Sequence, residues 1–214
     1  MGIESWVDGV LQHRTEMRPV QTLVQPRLQP LPGIKAVVFD VYGTLVISGS
    51  GDVGSADTVG RDSFIRQALV ESGLLGKLVS VPDADSLQQK IQQANRERCD
   101  SSCPKPEVDI VEVWCQLLAE NGWLACPTEI KQVVKVATQY EALANPTWPM
   151  PGAAEVLRQL EQSRFLLGIV SNAQVFTPCL VSNLLGQTHL EEAGFDLDLC
   201  VFSNRYRHAK PGPP

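Results

Sequence analysis

Three short apolar runs in the chain stop at polar residues. They cover residues 34–39, 165–170 and 199–202, and the first two end directly at Asp40 and at Ser171. A short apolar run bordered by Gly or polar residues is typical of a buried strand in a parallel sheet. We therefore predict three strands, with reactive groups just beyond the carboxyl ends of the first two.

Helical segments are predicted between these strands. Pro151-Gly152 opens a helix over residues 153–162, and a second helix is predicted over residues 174–186. The strand–helix–strand order over residues 151–202 predicts an α/β fold, a Rossmann-like parallel sheet with right-handed crossovers.

Two regions depart from this order. Residues 1–33 hold an amphipathic pattern over residues 3–11, which predicts one short helix, and then several prolines, which predict a linker or a strap. Residues 61–145 are mostly helical in pattern, which indicates a helical block inserted into the α/β core. The glycines of residues 48–60 predict a flexible loop, and no Lys follows them as a P-loop requires. The predicted division is an N-terminal extension over 1–33, a core over 34–50 and 146–214, and a helical insertion over 51–145. Four helices are expected in the insertion: one that ends at Gly73, and three that cover residues 87–98, 108–120 and 129–143.

The composition and the net charge disfavour some classes of binding partner. Of the 214 residues, 43% are hydrophobic and 20% are charged, and the net charge is −6. Lys and Arg form no basic stripe, so we do not expect nucleic-acid binding. No apolar run approaches the ~18 residues of a membrane span. An anionic substrate would therefore need positive groups placed locally at its site.

The cysteine and histidine pattern gives little support for zinc. The six cysteines form no C-x-x-C pair and the three histidines are scattered. Cys99 and Cys103 could pair or share a metal, but we expect reduced thiols. The N-terminus carries Glu4 and Asp8 and lacks the apolar centre of a secretory signal, so we expect a cytoplasmic protein.

Polar residues beyond the predicted strands could form one site, because parallel strands bring their carboxyl ends to one edge of a sheet. A carboxylate there could attack an electrophile, a hydroxyl and an amide could hold the attacked group, and an ammonium could offset the negative charge. Taken singly, the same residues fit a strand-end turn, a helix cap and a solvated lysine. The candidates are Asp40, Gly43, Thr44, Ser171, Asn172 and Lys210.

These motifs, in this order, resemble those of the haloacid dehalogenase-like (HAD) hydrolase superfamily. Residues 40–45, Asp-Val-Tyr-Gly-Thr-Leu, resemble its first motif, Ser171 its second and Lys210-Pro211 its third, and the resemblance covers residues 34–214. It implies Asp40 as covalent nucleophile, Thr44 and Ser171 as binders of the attacked group, and Lys210 as the group that stabilises charge. Asn172 is adjacent to the site in relatives with a Ser-Asn pair, and the insertion resembles a C1-type cap that closes over the site and selects the substrate.

Tyr42, two residues after Asp40, departs from the phosphatases of that superfamily, which usually have Asp there as general acid and base. A phenol with a pKa of ~10 is a poor substitute near neutral pH. Dehalogenases of the superfamily carry Tyr at this place, and a leaving halide needs no proton. Arg61 and Arg66 are candidates for the cap arginine of such dehalogenases, although solvent-exposed helix arginines are the simpler interpretation.

The superfamily's fourth motif, a pair of acidic residues, has no counterpart, since the sequence stops four residues after Lys210. We therefore expect a truncated fragment. The resemblance implies Mg²⁺ in phosphatases, but here only the Asp40 carboxylate and the Tyr42 carbonyl remain as metal ligands. Two protein ligands make a weak site for a cation that takes about six oxygens.

The sequence thus predicts a HAD-like hydrolase acting on a small anionic substrate, with a phosphate monoester as the first expectation. A 2-haloacid is the alternative substrate, which Tyr42 favours and which needs no Mg²⁺. A non-catalytic or truncated HAD-like domain is the third interpretation. The oligomeric state is left open.

Overall fold

A parallel three-stranded sheet is the centre of the core in the part of the chain that the structure describes. The structure is a computed structural model, and it describes residues 14–49, 60–101 and 103–212. The strands are β1 (Ala36–Phe39), β2 (Val46–Ser48), β3 (Thr147–Pro149), β4 (Leu166–Ser171) and β5 (Phe195–Phe202). The helices are α1 (Arg61–Glu71), α2 (Ala84–Arg98), α3 (Ile110–Glu120), α4 (Ile130–Ala144), α5 (Ala153–Gln162), α6 (Thr177–Leu184) and α7 (Ser203–Tyr206).

The sheet has the order β1–β4–β5, and both neighbouring pairs are parallel. The predicted α/β class with a parallel sheet is confirmed. Helix α5 has the predicted bounds, whereas β5 begins four residues before the predicted start. The exposed carboxylates Asp196 and Asp198 interrupt its apolar pattern, so the sequence did not predict the first half of this strand.

Gly168 allows β4 and β5 to approach closely. The register between the two strands shifts between Leu167 and Ile169. A Cβ atom on Gly168 would lie 2.5 Å from the Leu199 carbonyl oxygen, a distance that real side chains do not adopt. The glycine therefore permits the irregular pairing, after which Ser171 and Phe202 are paired at the carboxyl ends of the two strands.

An antiparallel ribbon of β2 and β3 joins the two ends of the helical insertion. Ile47 is paired with Trp148 across about a hundred residues of sequence. Strands of three residues carry too few positions for a period-2 pattern, so sequence analysis did not predict this ribbon. The predicted helix over residues 3–11 and most of the predicted loop over residues 48–60 lie outside the described residues.

The buried hydrophobic residues of the described chain form two clusters. One lies between the sheet and helices α5 and α6, and it includes Val41, Leu167 and Val181. The other lies among helices α1 to α4, and it includes Leu69 and Trp114. Burial of apolar surface, at about 25 cal/mol per Å², stabilises each cluster separately.

Only one face of the sheet is covered within the described residues. Val37 packs against the cluster beneath the sheet, whereas the adjacent Val38 is 54% exposed. Leu166, whose partner in the ladder is Ala36, is 53% exposed. Residues 14–33 form no helix or strand, and Val20 and Leu23 in this segment are almost fully exposed. None of the described helices combines the length and the apolar character that crossing a bilayer requires.

Candidate active site

A tight turn after β1 holds Asp40 at the carboxyl edge of the sheet. The amides of Leu45 and Val46 donate to the Val41 carbonyl at 2.9 and 3.0 Å, and the amide of Gly43 donates to the Val46 carbonyl at 2.7 Å. Val41 and Leu45 are buried in the core and anchor the turn. Gly43 has φ +78°, which lies in the left-handed region that glycine adopts without strain. Gly43 therefore supplies the turn, whereas a role in substrate binding stays a prediction.

Lys210 lies directly against Asp40. Its Nζ is 2.7 Å from Asp40 Oδ2, and it also donates to the carbonyl oxygen of Val170 at 3.1 Å. The Lys210 amide donates to Oδ1 of Asn172 at 2.6 Å. Val170 near the end of β4 and Asn172 just after the strand thus fix the side chain and the backbone of Lys210.

The surroundings of Asp40 keep its carboxyl group ionised. Partial burial raises its pKa, but the hydrogen bonds from Lys210 and Ser171 and from the Val41 amide outweigh that effect, so the net pKa is lowered. The Val41 amide donates to Oδ1 at 2.8 Å. The side chain is nevertheless 44% exposed. Asp40 is therefore an ionised carboxylate that a substrate can reach.

Ser171 and Asn172 complete the group that the structure brings together. Ser171 is buried, and its hydroxyl can donate to the Asp40 carboxylate or to the Asn172 carbonyl, which is 3.2 Å away. The carboxyl ends of β1 and β4 meet at this edge, as the predicted sheet required. Asp40, Ser171, Asn172 and Lys210 form one continuous set of contacts.

The side chains of Tyr42 and Thr44 are not part of this set. The Tyr42 hydroxyl lies 3.1 Å from Thr177 Oγ1 and its ring packs against the core. Burial, with a smaller effect of the nearby Glu141, raises the pKa of the Tyr42 phenol. Thr44 is exposed on the turn, and no hydrogen bond joins its side chain to Asp40 or Ser171 among the described residues.

The two candidate arginines have different surroundings. Arg66 is exposed on α1, as interpreted from the sequence. Arg61 is half-buried, and its charge acts on Tyr140 and on the buried carboxyl group of Glu141. Burial is the largest effect on Glu141 and raises its pKa, which the charge of Arg61 partly offsets.

The described residues do not fit a complete magnesium site. They contain no group of three or more His, Cys, Asp or Glu side chains that could hold a metal ion. One Asp40 oxygen faces the Lys210 ammonium, which would repel a cation, and the other accepts from the Val41 amide. The turn after β1 offers one further ligand for a cation, the Tyr42 carbonyl oxygen, which accepts none of the hydrogen bonds of the turn. Cys99 and Cys103 form no disulfide.

Sequence analysis missed the residues that join the helical insertion to the segments after β4 and before Lys210. Arg207 binds Asp109 and Glu112 of the insertion, and Gln174, three residues after Ser171, binds Glu107. No local pattern distinguishes these residues from ordinary surface residues. Their partners are more than sixty residues away in sequence.

Comparison with known proteins identifies a family. A family model described as haloacid dehalogenase-like hydrolase matches residues 34–213. A search of curated protein sequences gave no match.

Similar solved structures include a predicted phosphoglycolate phosphatase from Haemophilus somnus, with 17% identity over 83% of this chain and 66% of that chain and a TM-score of 0.34. A haloacid dehalogenase-like hydrolase from Bacteroides fragilis has 15% identity over 83% of this chain and 67% of that chain, with a TM-score of 0.35. A dehalogenase with an intermediate complex has 18% identity over 85% of this chain and 68% of that chain, with a TM-score of 0.32. The chain thus spans about two thirds of the length of these proteins.

The structural likeness is too low at these TM-scores to indicate a substrate. The family model, in contrast, covers most of the chain, including the strands that precede Asp40 and Ser171 and the segment that carries Lys210. The chain belongs to the haloacid dehalogenase-like hydrolase family.

Proposed function

We propose that this chain carries the core site of a hydrolase that uses Asp40 as a covalent nucleophile on a small anionic substrate, most simply a phosphate monoester. The contact between Asp40 Oδ2 and Lys210 Nζ, 2.7 Å long, is the observation that carries the proposal. It supplies an ionised and accessible carboxylate together with a positive charge that offsets the repulsion between nucleophile and substrate.

The proposed reaction has two steps. An Asp40 carboxylate oxygen attacks phosphorus, an aspartyl–phosphoryl bond forms, and the bond between phosphorus and the leaving oxygen breaks. Water then attacks the phosphoryl group, inorganic phosphate leaves, and the carboxylate is restored. Lys210 and Ser171 hold the negative oxygens during both steps. The side chain of Asn172 keeps Lys210 in place by accepting a hydrogen bond from the Lys210 backbone amide.

The position of Tyr42 limits the choice of leaving group. Its partly buried hydroxyl is hydrogen-bonded to Thr177 and not to Asp40, and burial raises the pKa of the phenol, so the phenol stays protonated. An alkoxide leaving group would need a proton from solvent or from the substrate. We therefore propose that substrates with weakly basic leaving groups react fastest.

Mg²⁺ is proposed only for the phosphate reaction, on the basis of the family. The residues described here supply two oxygens at most, the Asp40 carboxylate and the Tyr42 carbonyl, so no step above depends on a metal. The helical insertion over residues 51–145 is proposed to act as a cap that selects the substrate, with residues 34–50 and 146–214 as the core. A cytoplasmic setting is proposed from the sequence alone.

Hydrolysis of a 2-haloacid is the second candidate. The contact of the Tyr42 hydroxyl with Thr177 favours it, because a leaving halide takes the bonding electron pair and needs no proton from this phenol. In this case a carboxylate oxygen of Asp40 attacks the carbon that bears the halogen, and water then cleaves the ester at Asp40. Lys210 would lie close to the leaving halide or to the substrate carboxylate.

A substrate panel tests both candidates in the full-length protein. The panel contains p-nitrophenyl phosphate, an alkyl phosphate and a 2-chloroacid, each with Mg²⁺ and with a chelator. We expect phosphate release, fastest from the aryl ester, and a loss of about a thousandfold or more in Asp40→Asn, as for other essential nucleophiles. Asp198→Asn, which changes an exposed carboxylate on β5, is the matched control and keeps the activity.

The other outcomes are equally decisive. Halide release in the presence of a chelator, without phosphate release, would replace the phosphatase proposal by the dehalogenase. Turnover of neither substrate class, with ligand binding unchanged in Asp40→Asn, would indicate a non-catalytic domain. Mass spectrometry of the acid-quenched reaction should show the phosphoryl group on the peptide that contains Asp40.

A further inference from the structure

The segment that ends at Lys210 is held by the helical insertion as well as by β4. The Ala209 amide donates to the Lys105 carbonyl at 2.9 Å, and the Glu107 amide donates to the Arg207 carbonyl at 3.0 Å. Between these two bonds, Pro106 and His208 form an antiparallel bridge. Residues 105–107 and 207–209 thus pair as a short ribbon just before Lys210.

The Arg207 side chain extends this contact to helix α3. Its Nη2 lies 3.0 Å from Asp109 Oδ2 and 2.8 Å from Glu112 Oε1, and its Nη1 lies 3.2 Å from Glu112 Oε2. Asp109 caps α3 by accepting from the Val111 amide, so the helix end fixes this carboxylate. Arg207 and Asp109 are about three quarters buried, which reduces screening of their charges by solvent.

A partly buried set of hydrogen bonds joins Glu107 of this ribbon to residues that follow β4 and β5. The Glu107 carboxylate accepts from the Ser203 hydroxyl at 2.7 Å and from the Gln174 side-chain amide at 3.0 Å. Gln174 also donates to the Val108 carbonyl and accepts from the Ile110 amide. The insertion is therefore attached to the carboxyl ends of β4 and β5 by directed contacts, far in sequence from the β2–β3 ribbon.

We propose that Arg207 is a positioning residue for Lys210, which acts by fixing the backbone before Lys210 to Asp109 and Glu112 of the insertion. A free lysine side chain populates many rotamers, so its ammonium stays at a carboxylate only when its backbone is held. Asn172 holds Lys210 from one side, and the Arg207 contact holds it from the other. The position of the helical insertion thereby controls the positive charge beside Asp40.

This inference rests on the proposed function for the role of Lys210, but its structural part is measured without activity. We expect Arg207→Gln to lower the protection of the Ala209 and Lys210 amides against hydrogen exchange by about tenfold, the usual effect of losing charged hydrogen bonds. Arg158→Gln is the matched control, because Arg158 makes an equally close contact with Glu155 on α5. It should leave both amides unchanged. Unchanged protection in Arg207→Gln would overturn the proposal.

Activity gives the second measurement. In Arg207→Gln we expect kcat to fall about tenfold with KM within about twofold, because the ammonium is needed most when charge develops in the transition state. Arg207→Lys should recover part of the loss. The double variant Asp109→Asn/Glu112→Gln should match Arg207→Gln, and adding Arg207→Gln to it should cause no further loss.

Two results would contradict the positioning role in this experiment. One is independent, additive losses in the double-mutant cycle, and the other is a rise in KM with kcat unchanged. If the wild-type protein hydrolyses no substrate, the proposed function fails, while the exchange of the Ala209 and Lys210 amides still decides whether Arg207 positions the segment.

Discussion

At the scale of single residues, the hydrogen-bond partners of Asp40 distinguish this site from an ordinary turn at the end of a strand. An Asp that only capped its turn would accept from backbone amides, as Asp40 does from Val41. Asp40 in addition faces an ammonium and a serine hydroxyl, which together lower its pKa against the effect of burial. This combination places an ionised carboxylate and a cation side by side in an accessible position.

Tyr42 provides the residue-scale prediction. Tyr42→Phe should keep kcat within about twofold, because the hydroxyl bonds to Thr177 and not to the reacting groups. It should lower the free energy of unfolding by about 1 kcal/mol through the lost hydrogen bond. Urea denaturation and steady-state kinetics measure the two effects. Thr177→Val removes the same contact and also the hydrogen bond that the Gln174 amide donates to Thr177 Oγ1 at 3.1 Å, so it should lower the free energy of unfolding more than Tyr42→Phe does. A loss of kcat above about tenfold in Tyr42→Phe alone would contradict this assignment.

At the scale of elements, the contact between the insertion and the core includes a partly buried carboxyl group. Glu107 lies between Ser203 and Gln174, and burial raises its pKa more than their hydrogen bonds lower it. A carboxyl group whose pKa is higher in the folded than in the unfolded chain stabilises the fold at low pH. This stabilisation is lost as the pH rises through the pKa of the folded state.

Glu107→Gln tests this pH dependence. The amide can satisfy Ser203 and Gln174 without ionising, so we expect the variant to gain stability relative to wild type as the pH rises above the ordinary carboxyl pKa of ~4.3. Urea denaturation from acidic to neutral pH measures the difference in free energy of unfolding. Glu155→Gln is the control with the opposite sign, because hydrogen bonds from Arg158 and Gln159 lower the pKa of Glu155. A pH-independent difference for Glu107→Gln would refute the burial argument.

At the scale of the whole molecule, the described residues leave one face of the sheet in contact with solvent. Parallel sheets are usually covered on both faces, so the exposure of the apolar side chains of Val38 and Leu166 is unusual for this kind of sheet. The covered face carries the cluster beneath β1, β4 and β5, and the helical insertion has its own cluster. The charged site lies at the edge of the sheet, between these two parts.

The adjacent residues Val37 and Val38 test this asymmetry. Val37→Thr should lower the free energy of unfolding by about 1–2 kcal/mol, because it places a hydroxyl against the core. Val38→Thr should change it by less than about 0.5 kcal/mol, as for other exposed positions. Chemical denaturation of both variants measures the difference. Equal losses would mean that a further segment or a second copy covers the face of Val38.

The sequence by itself determined the residues at the strand ends. The change from an apolar run to Asp40, the glycine at position 43 and the apolar run before Ser171 are local signals, and local backbone preferences decide turns and short strands. The order of strands and helices then predicted the parallel sheet, and the parallel sheet predicted that Asp40 and Ser171 would meet.

The tertiary structure alone decided which contacts the side chains near Asp40 make. Tyr42 follows Asp40 by two residues, yet its hydroxyl reaches Thr177 in the core, whereas Lys210, 170 residues from Asp40, lies 2.7 Å from it. The β2–β3 ribbon and the contacts of Arg207 and Glu107 likewise join segments that are distant in sequence. Such contacts depend on the packing of the entire chain, and a short stretch of sequence carries no record of its distant partner.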